Sequence, residues 1–99
     1  MRDKGGREII KRYRKKPVEV EAVLLTEKNL EEVEDWIIFS TGKASSCVAD
    51  KEKGELNIFT LEGVMTARAG EHYVVRGVKG EFYPVQKEIF EKTYEEAVG

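Results

Sequence analysis

Cysteine and histidine are almost missing from this 99-residue chain, in which Cys47 and His72 are the sole members of their types. A lone cysteine excludes an internal disulfide, and one Cys with one His cannot assemble a zinc site from the chain's own residues. Such cysteine usage fits a reducing cytoplasm. No apolar stretch approaches the roughly 20 residues that a membrane span needs. The basic N-terminus is not followed by the hydrophobic segment of a secretion signal, so neither membrane insertion nor export is expected. A nucleophile–base pair, a metal-ligand cluster and a phosphate-cradling loop are missing too, and the expectation is a protein without cofactor or metal that is not an enzyme.

What is present is charge wrapped around one modest core. Hydrophobic residues make up 40% of the chain and charged residues 36%, too apolar for a disordered segment yet enough charge for a heavily polar exterior. The length suits one domain, burying about two-thirds of the surface that its unfolded form exposes. The net charge of -2 hides a division: residues 1–16 hold eight Lys/Arg against Asp3 and Glu8, a balance of +6, and the remainder carries -8. A basic arm therefore precedes an acidic body, suited either to nucleic acid or to folding back on that body. Residues 1–10 are expected to be a flexible basic leader, and residues 11–99 a single α+β domain.

Within the domain, Pro17 heads the run Val18 to Leu25, where alternation places Val18, Val20, Ala22 and Leu24 on one strand face. Thr26 or Asn29 can cap a helix over 29–39, Asn29 and Glu32 having capping-box-like spacing, with Leu30, Val33, Trp36 and Ile37 on its apolar side. Thr41-Gly42 stops it, and a short strand is expected near Ser46 to Ala49. From Leu56 onward, glycines at 63, 70, 77 and 80 divide short strands into an antiparallel meander. Glu62-Gly63 forms its tightest hairpin. Pro84 ends the last strand, and Ile89, Phe90 and Tyr94 line a helix over 86–94. The expected fold is α+β: a mainly antiparallel, curved sheet of about five strands with one helix packed on it and a short C-terminal helix. Its open edge would favour a homodimer.

The string Tyr13-Arg14-Lys15-Lys16-Pro17-Val18-Glu19-Val20-Glu21-Ala22 resembles the opening of a family of small bacteriophage and prophage proteins. Gly63-Val64-Met65-Thr66-Ala67, Gly77-Val78-Lys79-Gly80-Glu81-Phe82-Tyr83-Pro84 and Ile89-Phe90-Glu91-Lys92-Thr93-Tyr94-Glu95 are similar to its close, and the likeness spans residues 13–95. Ala69, Glu71 and Val85 depart from the pattern, which has Pro, Asp and often Cys there. The resemblance implies phage or prophage origin and a place in the bacterial host cytoplasm. It carries no catalytic residues, and it implies an accessory protein that binds a host macromolecule or small ligand.

Individual residues sharpen that expectation. Phe82 and Tyr83 must lie on opposite faces of their strand. If Tyr83 and Arg76 share the exposed face, then with Lys79 and Arg14 they offer an aromatic, cationic surface for an anionic or planar ligand or a host protein. Arg12, Tyr13, Arg14, Lys15 and Lys16 form the alternative site, in which cations neutralise phosphates and the ring stacks on a base. The Gly77–Gly80 segment lacks the Gly-Lys-Ser/Thr ending of a phosphate loop and reads as a turn with Lys79 at its tip. A second alternative, a small enzyme built on His72, needs a carboxylate that only folding could bring. Cys47 reads as a spectator thiol.

Overall fold

Two three-stranded antiparallel sheets, rather than one sheet of about five strands, build the α+β fold; the computed structural model describes residues 10–13 and 17–97. Sheet I has the order β1 (Glu21–Leu24), β5 (His72–Arg76), β6 (Phe82–Gln86); sheet II runs β2 (Cys47–Asp50), β3 (Glu55–Thr60), β4 (Gly63–Arg68). Helix α1 spans Leu30–Thr41 and α2 spans Lys87–Thr93. Apart from Ile10, the expected leader lies outside the described residues. Among those residues no helix is long and apolar enough to cross a membrane.

The meander breaks at the corner between β4 and β5. The amides that would continue the ladder are engaged elsewhere: Arg68 N–H donates to His72 Nδ1 (2.9 Å), Ala69 N–H to Gly54 O (2.8 Å) and Gly70 N–H to Leu25 O (2.7 Å). Gly70 sits at φ +80°, a turn conformation that glycine adopts without steric cost, and the chain passes there from sheet II to sheet I. The expected hairpin does form, Thr60 pairing with Gly63 across Leu61-Glu62.

The core lies between the sheets and α1. Leu30, Val33 and Ile37 of α1 meet Cys47, Leu56, Ile58 and Ala67 of sheet II and Val74 and Phe82 of sheet I, with Leu25 fully enclosed among them. Trp36 meets Phe82 edge to face, ring centroids 5.0 Å apart. Cys47 is buried, and its Sγ–H donates to Glu34 O (3.6 Å). Removal from water, reinforced by the nearby Glu34 carboxylate, pushes its thiol up to about 11.

Local chemistry corrects the sequence expectations in four places. The 18–25 strand shortens to Glu21–Leu24, because β5 ends at Arg76, the partner of Glu21, and provides no ladder for earlier residues. The core-facing residues of this segment are Val23 and Leu25, not the set Val18, Val20, Ala22 and Leu24. At the start of α1, Asn29 and Glu32 form no capping box. Instead Thr26 N–H donates to Asn29 Oδ1 (2.8 Å) and Asn29 N–H to Thr26 Oγ1 (3.1 Å), a reciprocal closure one turn earlier. Pro84 does not end a strand but sits inside β6, an edge strand where a missing N–H is tolerated. Finally, α2 has seven residues, and Ile89 points to water while Phe90 packs. The Gly42 stop is as expected: φ is +71° and its N–H donates to Ile38 O (2.8 Å).

Candidate binding groove

Strand register decides what the outer face of sheet I carries. Ala22, Val75 and Tyr83 stand in one cross-strand row, and Leu24, Tyr73 and Val85 in the next. Both rows face away from the core, because their neighbours Val23, Val74 and Phe82 face into it. A bare apolar face of this size would be costly in water, and α2 covers part of it. Lys87 N–H donates to Glu71 O (2.9 Å) and anchors the first turn of α2, so Phe90 and Tyr94, four residues apart, fall on its sheet-facing side. Tyr73, Phe90 and Tyr94 form a stacked column, with centroid separations of 4.1 Å and 4.8 Å.

Where α2 stops short of the chain preceding β1, a groove of about 440 Å³ remains. Val18 and Val20 form one wall, Ala22, Tyr73 and Phe90 the floor, and Tyr94 and Ala97 the far side. Glu19, Glu91, Glu95 and Glu96 occupy its rim. Glu91 is engaged: its Oε2 accepts from the Tyr73 hydroxyl (3.0 Å) and its Oε1 lies 3.5 Å from Lys87 Nζ. That hydrogen bond, aided by burial, pushes the Tyr73 phenol up and keeps it a donor. Among the described residues, no cation pairs with Glu19, Glu95 or Glu96. An aromatic floor beneath unneutralised carboxylates suits a cationic ligand with an apolar stem, such as a lysine or arginine side chain.

The expected cationic surface does not assemble. Arg76 stands opposite Phe82 and Tyr83 opposite Val75, so strand alternation puts Arg76 and Tyr83 on opposite faces of sheet I. Arg76 is engaged by Glu21 (Nη1 to Oε1, 3.1 Å), beside a shallow hollow of about 380 Å³. Tyr83 lies half-buried, and burial first, then Tyr94 and Glu81, raises its phenol. Lys79 is exposed at the tip of its turn, as expected, but its amide donates to Glu81 Oε1 (2.9 Å). Arg14, with Lys15 and Lys16, lies outside the described residues, while Arg12 and Tyr13 are exposed.

The glycine loop binds its own anion. Gly77 N–H donates to Glu81 O (2.7 Å), and the Glu81 carboxylate folds so closely over Gly77 that a Cβ there would lie 2.5 Å from its Cδ. Amides that could have met a phosphate are thus taken within the loop: Gly77 N–H by the Glu81 main-chain carbonyl, Lys79 N–H by the Glu81 carboxylate and Gly80 N–H by the Gly77 carbonyl. His72 is likewise engaged locally, its Nδ1 accepting from Arg68, which fixes the proton of the neutral ring on Nε2. No carboxylate bonds it among the described residues, nor does any group of three or more His, Cys, Asp and Glu residues there form a metal-binding cluster.

The groove was not anticipated, although its parts are visible in the sequence: consecutive Val74-Val75 in one strand, Phe90 and Tyr94 one turn apart, and Glu95-Glu96 after them. What joins them is the register of β1 with β5. No family model, curated protein or solved structure matches the chain.

Proposed function

We propose that this protein is a non-enzymatic binding module, of the accessory kind implied by its resemblance to phage and prophage proteins and acting in the host cytoplasm. Its ligand surface is the groove beside α2, and its ligand is a cationic polypeptide segment. The observation that carries this reading is one concavity combining the Tyr73–Phe90–Tyr94 column with three carboxylates that no described cation neutralises. The sign of the ligand therefore reverses that expected for a surface of Arg76, Lys79 and Tyr83. Titrating fluorescent Lys/Arg-rich peptides while following anisotropy tests it: binding should fall about tenfold in the pair Glu95→Lys and Glu96→Lys and weaken with salt. Equal affinity in the wild type and this variant would refute the reading.

A second reading keeps the arm as a nucleic-acid contact, favoured by the exposure of Arg12 and Tyr13. It predicts oligonucleotide affinity that falls steeply with salt and is lost when Arg12 to Lys16 become Ala. The body's charge of -8 opposes a wide footprint on a polyanion.

A further inference from the structure

The arm and the groove of this chain are complementary in charge and in apolar content. The arm carries +6 over residues 1–16 and the rest of the chain -8. Ile10 is 78% exposed and Tyr13 is 88% exposed, so among the described residues two large apolar side chains beside Lys11 and Arg12 have little cover. The groove offers the opposite: apolar and aromatic floor, acidic rim.

We infer that the basic N-terminal arm of one copy lies in the acidic groove of a second copy, the two chains exchanging arms about a twofold axis. This rests on the groove reading above and names its partner. The geometry favours exchange over self-docking. Val18, Glu19 and Val20, where the arm joins the body, themselves form a wall of the groove. To fill its own groove the arm would have to double back over the Val18–Val20 segment that already walls it, whereas the residue before Pro17 is biased towards an extended backbone that leads the chain onward. A copy facing the groove, by contrast, has its own arm root beside it, and under twofold symmetry both grooves fill together. Arg and Lys stems then lie along Phe90 and Tyr73 with their charges at Glu19, Glu95 and Glu96.

A charge swap on the full chain tests this by sedimentation equilibrium. The wild type should be a dimer, twice the 11.3 kDa chain mass, at high micromolar concentration in about 50 mM salt, loosening towards about 0.5 M. Reversing the arm (Arg12→Glu, Arg14→Glu, Lys16→Glu) or the groove (Glu19→Lys, Glu95→Lys, Glu96→Lys) should weaken association at least about tenfold. Mixing the two variants should restore a dimer, since each arm then meets a groove of opposite sign. Arg12, Glu19, Glu95 and Glu96 are exposed, and circular dichroism checks that both variants are folded. A wild type that stays monomeric, a dimer indifferent to both reversals, or a mixture that fails to reassociate would each overturn the inference. If the chain is monomeric while Lys/Arg peptides still bind the groove, only the arm exchange fails; if those peptides also fail to bind, the groove reading falls with it.

Discussion

Sheet I is covered on its inner face and on part of its outer one, sheet II on its inner face alone, although both are three-stranded and antiparallel. In sheet I, Val74 faces the core and Val75 faces α2, yet both are fully excluded from water. In sheet II, Leu56 and Ile58 face the core while Val48, Phe59 and Val64 on the other side remain exposed. Alternation therefore distinguishes the faces of a strand without telling whether the second face is wet. What decides is whether a later element returns to cover it, and only sheet I has α2.

The comparison breaks most visibly when a charge is placed on each outer face. Val75→Asp should destabilise the protein by about 4 kcal/mol or more, the penalty of an unpaired charge in an apolar site. Val64→Asp, in the corresponding layer of sheet II, should change stability by less than about 1 kcal/mol. Urea unfolding of the two variants measures the difference, and similar losses would mean that the outer face of sheet II is also covered. Next in size is the inside–outside contrast within β3. Leu56→Ala should cost about 3 kcal/mol through lost transfer and a cavity, and Phe59→Ala, at a residue 46% exposed, about 1 kcal/mol.

The smallest effect sharpens the picture of sheet II's inner face. Cys47 keeps its proton up to about pH 11 when folded and to about 9 when unfolded. Between those values the unfolded state binds fewer protons, so stability present below pH 9 is lost as pH rises through 11. At pH 8 the folded chain should hold about a hundredfold less thiolate than the unfolded chain and react with iodoacetamide at least that much more slowly. Fast alkylation of the native protein would show that the inner face opens.

Local features were legible in the sequence. The apolar stripe of α1, its Gly42 stop and the hairpin joining β3 to β4 rest on contacts within a few residues, where periodicity and turn chemistry act directly, although the turn pair is Leu61-Glu62 and Gly63 opens β4. The division into two sheets was not, because it depends on Gly70 and Leu25 meeting across 45 positions and on an imidazole occupying the Arg68 amide. Alternation groups Val18, Val20, Ala22 and Leu24 on one face without telling what that face meets: Val18, Val20 and Ala22 border the groove, while Val23 and Leu25 face the core. Arg76 and Tyr83 were separated by a parity that follows once β6 is extended through Pro84 to Gln86.

The pairing of β1 with β5 also sets a schedule. During synthesis Val23 and Leu25 emerge long before Arg76, which lies 55 residues beyond its partner Glu21. Sheet II and its hairpin can form from neighbouring segments while the first strand waits unpaired, and a distant closure of this kind slows folding. A ribosome-bound chain halted before residue 76 would thus display an orphan strand, the natural target for a chaperone.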